Sequence, residues 1–193
     1  IDSTSQLSYH LNQLDGRFVR KSDDTYALTQ AGDRVVRAVR SGTYEEEPTF
    51  EPTTIEGACP RCECTTLSVS YRERLLTVAC AECDATVVTY DLPPSGTTGR
   101  TSEEILAACD RRARTEFALA LEGSCPTCGG LVDHSVEPTD GRVAFSCRAE
   151  CSQCGICLYA PLEAVLLYHP GVIAFFWEHD IDMTSLPFWR LLP

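Results

Sequence analysis

A mixed α+β chain, built from small modules rather than around one large core, is the architecture this sequence predicts. Two observations carry that expectation. The 193 residues hold twelve cysteines, eight of them in four Cys-x-x-Cys pairs that flank β-rich stretches. Ahead of them, the first 44 residues alternate between helical and strand periodicity.

In that first segment Leu7, Leu11 and Leu14 fall at i, i+4 and i+7, so Ser3 to Leu14 reads as a helix with one apolar face. Arg17 to Lys21 and Thr25 to Leu28 read as short strands joined by the polar turn Ser22-Asp23-Asp24. Thr29 is placed to cap a second helix running through Arg40, with Gly42 positioned to stop it. Helix, hairpin and helix in this order make the second half of a winged helix-turn-helix.

The residues of this stretch are Ser5-Gln6-Leu7-Ser8-Tyr9-His10-Leu11-Asn12-Gln13-Leu14, then Phe18-Val19 and Tyr26-Ala27-Leu28-Thr29-Gln30-Ala31-Gly32. They resemble the recognition helix and wing of ArsR-like winged-helix regulators, and the whole chain resembles haloarchaeal members that carry C-terminal zinc ribbons. The resemblance implies a sequence-specific transcription regulator acting on double-stranded DNA. It also implies two helices ahead of the recognition helix; a sequence opening at Ile1-Asp2 starts past them, so further chain is expected upstream.

Glu45-Glu46-Glu47-Pro48 reads as a solvated linker closing a first module at residues 1–44. A cysteine module is expected over residues 50–92, followed by a second linker, Asp91-Leu92-Pro93-Pro94-Ser95-Gly96. Thr101 or Ser102 can cap a linking helix over 101–122, and Glu104 stands at capping-box spacing from Thr101. The second cysteine module spans 123–160. Residues 161–193 form a C-terminal segment in which Pro161 to Tyr168 and Gly171 to His179 read as short helices separated by Pro170-Gly171.

Cys59, Cys62, Cys80 and Cys83 bracket the β-rich run Leu67 to Val78, and Cys125, Cys128, Cys151 and Cys154 bracket a hairpin from Leu131 to Phe145. Each Cys-x-x-Cys turn offers two thiolates, and the hairpin between turns brings four together, the arrangement that tetrahedral Zn2+ requires. Two structural zinc ions per chain follow, since four thiolates leave no open coordination position for catalysis. Redox-active or iron–sulfur cysteine is the competing reading. Of the remaining cysteines, Cys64 and Cys157 lie close enough to replace a neighbouring ligand, and Cys147 offers an alternative register; Cys109 falls inside a helix as a small apolar residue. The fold class expected is therefore α+β: a partial winged helix-turn-helix followed by two zinc-ribbon β modules and connecting and C-terminal helices.

The formal net charge is −12, and Lys21 is the only lysine among sixteen basic residues, a balance resembling proteins of salt-loving archaea. Residues 1–44 carry a net +1, leaving −13 for the rest, so only the first segment escapes repulsion by phosphate. A groove-reading helix turns small and polar groups toward DNA while its back packs on the domain. Gln6 and Asn12 can bond adenine edges, whereas Ser5, Ser8 and Tyr9 suit phosphates. A merely solvated helix face would look similar; Arg17, Arg20 and Lys21 in the adjoining hairpin tip the reading toward DNA.

His10 borders the leucine face and reads as structural, and His134, His169 and His179 have no spaced catalytic partners. With no nucleotide-binding glycine loop and no nucleophile elbow, a non-enzyme is expected. An apolar stripe (Ile105, Leu106, Cys109, Ala113, Phe117, Leu121) and the dense apolar group from Val165 to Trp177 are read as core, with a dimer interface or small-molecule pocket as the sharper option. With no signal-peptide pattern and no apolar run near the ~20 residues of a bilayer span, the expected location is the reducing cytoplasm. A homodimer and an unidentified effector complete this reading; its rivals are a zinc-ribbon adaptor that recruits proteins and a thiol- or metal-responsive sensor.

Overall fold

The computed structural model describes residues 4–23, 25–44, 50–139, 143–167 and 169–191. Ser3, Asp24, the Glu45 to Pro48 linker and Tyr168, all used in the sequence reading, lie outside these residues. The chain divides into two compact units, residues 1–48 with 93–95, and residues 49–92 with 96–193. Both elements of an α+β fold are present, and all three sheets are antiparallel.

The first unit follows the expected order: helix α1 (Thr4–Leu14), the hairpin β1 (Val19–Ser22) and β2 (Thr25–Leu28), and helix α2 (Gln30–Arg40). Thr29 joins hairpin to helix three times over. Its N–H donates to the Phe18 carbonyl at 3.0 Å, its hydroxyl donates to the Arg17 carbonyl at 2.7 Å, and its Oγ1 accepts from the Gly32 N–H at 3.1 Å. Gly32 is required there: a Cβ would stand 1.9 Å from the Phe18 carbonyl oxygen. At the other end Gly42, with φ 72°, closes α2 in a Schellman arrangement, its N–H reaching Val39 and that of Thr43 reaching Ala38.

One expectation about this unit needs correcting. The leucine face of α1 is not packed away: Leu7 is 43 % and Leu14 39 % exposed, and His10, placed at the border of a packed face, is exposed as well. The hairpin and α2 bury chiefly Val19 and Gly32, and of the three leucines only Leu11 is half-buried.

In the second unit, β3 (Thr53–Glu56), β4 (Thr66–Arg72), β5 (Leu75–Cys80) and β6 (Thr86–Asp91) form a sheet in sequential order. Leu67 and Val69 of β4 and Leu76, Val78 and Cys80 of β5 alternate onto one face, as the two-residue strand period demands, and are wholly buried. Against them packs helix α3 (Ser102–Leu121) through Ile105, Leu106 and Cys109. Thr101 and Glu104 make the expected capping box. The second sheet, β7 (Val132–Pro138), β8 (Phe145–Cys151) and β9 (Cys157–Pro161), leads into the short helix α4 (Leu162–Leu166) and then α5 (Pro170–Trp177).

Pro170 starts α5 rather than separating two helices. Proline suits the first helical position, whose N–H needs no intrahelical acceptor, and His169 caps it by accepting from the Gly171 N–H at 3.1 Å. Nor does α5 supply core, because a short helix apolar on every side cannot bury all of them: Phe175 and Trp177 are exposed. The core contribution of this region comes from Trp189, 4 % exposed, in a 3-10 turn that sequence periodicity did not reveal.

That tail is held by a polar clamp. Asp110, buried on α3, accepts from Arg114 Nε at 3.0 and 3.1 Å and from the Phe188 N–H at 2.8 Å. Arg114 also donates to the carbonyls of Met183, at 3.2 Å, and Leu186. One ion pair thereby fixes three points of a segment about seventy residues away in sequence.

Candidate metal centres

The fold gathers the eight cysteines of the four pairs into two clusters, Cys59, Cys62, Cys80 and Cys83, and Cys125, Cys128, Cys151 and Cys154, with the sulfurs of each within 4.8 Å of one another. The closest approaches run between pairs: Cys59 to Cys83 at 3.7 Å, Cys62 to Cys80 at 3.4 Å, Cys125 to Cys154 at 3.6 Å and Cys128 to Cys151 at 3.5 Å. Zinc–thiolate bonds of ~2.3 Å put the sulfurs of a regular tetrahedron about 3.8 Å apart. Both clusters therefore fit a tetrahedral metal ion, and their sulfurs stand well beyond the ~2.05 Å of a disulfide.

All four cysteine turns repeat one backbone pattern. The N–H of the first cysteine donates to the carbonyl five residues on (Cys59 to Cys64, Cys80 to Ala85, Cys125 to Gly130, Cys151 to Ile156), and its own carbonyl accepts from the residue four on (Glu63, Asp84, Gly129, Gly155). Each of those four latter residues has positive φ, between 55° and 75°. Glycine meets that requirement in the second cluster without cost, whereas Glu63 and Asp84 adopt a left-handed conformation that L-residues disfavour.

The turns also aim N–H groups at sulfur. Arg61 donates to Cys59 Sγ at 3.3 Å, Glu82 to Cys80 Sγ, Thr127 to Cys125 Sγ and Gln153 to Cys151 Sγ at 3.4 Å each. Such donors favour the thiolate. For Cys80, N–H groups of Cys83 and Glu82 hold the pKa down at about 6. Burial opposes the same effect at Cys125, but the Cys128 and Thr127 N–H groups still bring it to about 6. The second cysteine of each turn goes the other way. At Cys62 the largest influence, the Cys64 N–H, lowers the pKa, yet the Cys80 and Cys83 sulfurs and burial raise it to about 12; Cys128 follows suit against its Gly130 N–H. A first cysteine poised as thiolate beside a second that gives up its proton on ligation is the donor set a divalent metal requires.

The remaining cysteines stay outside. Cys147 lies mid-strand, opposite Val136 and Ala160, which leaves Cys151 and Cys154 as the ligand register. Cys64 bonds the backbone of Thr66, and Cys109 is core, its thiol pushed up to about 12 by burial. Three of the four histidines serve local structure: His169 caps α5, His134 Nε2 meets the Ala120 carbonyl at 2.7 Å and His179 Nδ1 that of Phe175 at 2.7 Å.

A family model described as domain of unknown function DUF7351 matches residues 56–193, which include both clusters. The chain belongs to the DUF7351 family. A second model, domain of unknown function DUF7347, matches residues 1–39. No curated protein and no solved structure matches the chain.

In this DUF7351 protein the candidate DNA-contacting side chains all lie in the part matched by the DUF7347 model, and all are exposed. Ser5, Ser8, Tyr9 and Asn12 share one side of α1, opposite Leu7, Leu11 and Leu14, with Gln6 at its edge. In the hairpin the arginine and lysine do not act together. Arg20 and Lys21 are neighbours on β1 and so point to opposite faces; Lys21 lies with its ammonium 5.8 Å from the Tyr26 ring centre. Arg17 stands over the Phe18 ring at 5.3 Å. No helix among the described residues is long and apolar enough to cross a membrane.

Proposed function

We propose that the protein is a sequence-specific DNA-binding regulator of transcription in which both four-cysteine clusters hold structural zinc. One observation carries the DNA reading: α1 presents Ser5, Gln6, Ser8, Tyr9 and Asn12 to solvent on the segment of net charge +1, while the remainder carries −13. In this reading Gln6 and Asn12 contact base edges, Arg20 contacts phosphate, and the leucine face of α1 is covered by a second copy or by further helices in the functional assembly. The zinc ions, when bound, would cross-link pairs of turns that no disulfide joins. Cys59, Cys62, Cys80 and Cys83 would hold one, and Cys125, Cys128, Cys151 and Cys154 the other. With four thiolates each, neither leaves a position for substrate.

The test is selection of duplex DNA from a random pool by the zinc-loaded full-length protein, followed by titration of the selected site. Gln6→Ala and Asn12→Ala should relax sequence choice, and Arg20→Ala should weaken all duplexes alike. Because few cationic contacts are available, affinity should fall only shallowly with salt. Selection that enriches no sequence, or three variants indistinguishable from the parent, would leave the adaptor reading in its place. The sensor reading has less support, since burial raises the thiol pKa of Cys109 and of Cys147 rather than activating them.

A further inference from the structure

Where a strand runs into a cysteine turn the ladder must stop, and one amide there needs an acceptor that is not a strand. In the first cluster β4 and β5 pair as far as Leu67 opposite Cys80, and one further bond follows, from the Ala81 N–H to the Thr66 carbonyl at 3.2 Å. In the second, Val132 stands opposite Cys151, and the further bond runs from the Ser152 N–H to the Leu131 carbonyl at 3.1 Å. Antiparallel pairs of this kind ordinarily exchange two bonds. Among the described residues neither return bond, from Thr66 to Ala81 or from Leu131 to Ser152, is made.

The two clusters satisfy the leftover N–H differently. That of Thr66 donates to Cys64 Sγ at 3.4 Å, next to its own turn. That of Leu131 donates to Gln153 Oε1 at 2.6 Å, and Gln153 belongs to the opposite turn, between Cys151 and Cys154. Both sides are shaped for this contact. A Cβ on Gly130 would stand 2.2 Å from Gln153 Oε1 and 3.0 Å from its Cδ, so the carboxamide lies against bare backbone. The peptide between Gly130 and Leu131 is held at both polar ends, its carbonyl by the Cys125 N–H at 2.8 Å and its N–H by Gln153. From here the contacts run directly to sulfur. The Gly130 N–H donates to Cys128 Sγ at 3.4 Å, the Gln153 N–H donates to Cys151 Sγ at 3.4 Å, and Gln153 Oε1 lies 3.9 Å from Cys151 Sγ.

We propose that Gln153 is a positioning residue of the second metal centre. Its carboxamide bridges the two cysteine turns in the arrangement that four-thiolate coordination needs, so zinc is held more tightly and released more slowly than the same turns would hold it unbridged. Groups that orient ligands from outside the coordination sphere act in this way: binding has less disorder to remove, and a ligand that lets go stays close enough to return. The inference rests on the reading of this cluster as a zinc site and is independent of the DNA reading.

The experiment uses the zinc-loaded full-length protein, a competing chelator and NMR, in which the amides of residues 59–85 and 125–156 tell the two sites apart. Gln153→Met keeps the length of the side chain and removes the acceptor. It should weaken zinc at the second cluster about five- to ten-fold, speed release to the chelator, and free the Leu131 amide to exchange, with the first cluster unchanged. Gln153→Glu keeps an acceptor oxygen and should keep the Leu131 amide protected. Gly130→Ala pushes the carboxamide away from the other side and should reproduce Gln153→Met, and the double variant should be no worse than Gln153→Met alone. Gln153 is exposed, so its variants should fold even where Gly130→Ala does not. A Leu131 amide that exchanges freely in the parent, equal losses at both clusters, or variants that match the parent in affinity and release would each overturn the proposal. A parent that holds no zinc at the second cluster would overturn it together with the zinc reading, whereas a parent with two ions and indifferent variants would overturn it alone.

Discussion

Removing the Arg114 guanidinium should release the C-terminal tail while leaving both cysteine clusters standing. In Arg114→Ala the Asp110 carboxylate, 12 % exposed beside an Arg114 side chain only 18 % exposed, keeps one donor, the Phe188 N–H, and the Met183 and Leu186 carbonyls lose theirs. Breaking a buried pair by deleting one partner costs about 3–5 kcal/mol, because the surviving charge is left without compensation. Some water reaches this pair, so the low end applies. A loss of about 3 kcal/mol raises the open-to-closed ratio of the tail roughly 100-fold. The assay is built into the chain, which has two tryptophans: Trp189 is buried with the tail and Trp177 is 64 % exposed. In a Trp177→Phe background, emission reports Trp189 alone. Arg114→Ala should shift that emission to the red, make it quenchable by acrylamide, and lower the urea midpoint of the fluorescence transition. Asp110→Asn should behave alike, and the double variant should cost well under the sum. Blue, unquenched emission with a stability loss below about 1 kcal/mol, the range of a surface pair, would refute the clamp.

Three further outcomes are expected. Gly32→Ala should destabilise the first unit by about 1–3 kcal/mol despite the better helix propensity of alanine, since its Cβ has nowhere to go beside the Phe18 carbonyl; loss of amide dispersion in residues 4–44 with the rest unchanged is the readout. Replacing Glu73-Arg74, the β4–β5 turn whose φ values are 51° and 70°, by Asn-Gly should raise stability by about 1 kcal/mol, because two strained left-handed residues outweigh the exposed Arg74–Asp91 pair that is lost; a thermal melt measures it. Cys128→Ser should halve the bound metal and expose the amides of β7 to β9 to exchange, whereas changing Cys64, Cys109, Cys147 and Cys157 together should leave the metal count unaltered. Metal affinity in either cluster should rise with pH through neutrality, because Cys62 and Cys128, with pKa values of about 12 before ligation, must give up protons to bind.

What could be read in advance was local. The cysteine spacing named all eight cluster residues, Thr101 with Glu104 announced a capping box, and Thr29 and Gly42 bounded α2, because each depends on neighbours a few residues off. The clamp was invisible for the opposite reason. Asp110 and Arg114 stand four residues apart on α3 and look like an ordinary surface pair; only the arrival of Met183, Leu186 and Phe188 buries them. Likewise nothing in the composition of Glu63 or Asp84 foretold a left-handed backbone, which the shared turn imposes and which its counterparts Gly129 and Gly155 meet with glycine. The edges of β6 and β9 escape sequence reasoning altogether, since whether a strand is outermost is decided by topology and not by its own residues.

Trp189 sits in the core of the first four-stranded sheet, beside Leu67, Val69 and Leu106. The consequence concerns the order in which the chain is made. A ribosome delivers β3 to β6 more than ninety residues before the side chain that completes their packing, so a growing chain must carry that sheet unfinished until residue 189 emerges. During that interval metal capture at Cys59, Cys62, Cys80 and Cys83 would be the one cross-link available to hold the sheet together. Chains broken off before residue 189 should therefore be poor folders and ready substrates for proteolysis even though every strand of the first sheet is present. The DUF7351 model, matched over residues 56–193, takes in β4 to β6 and Trp189 together.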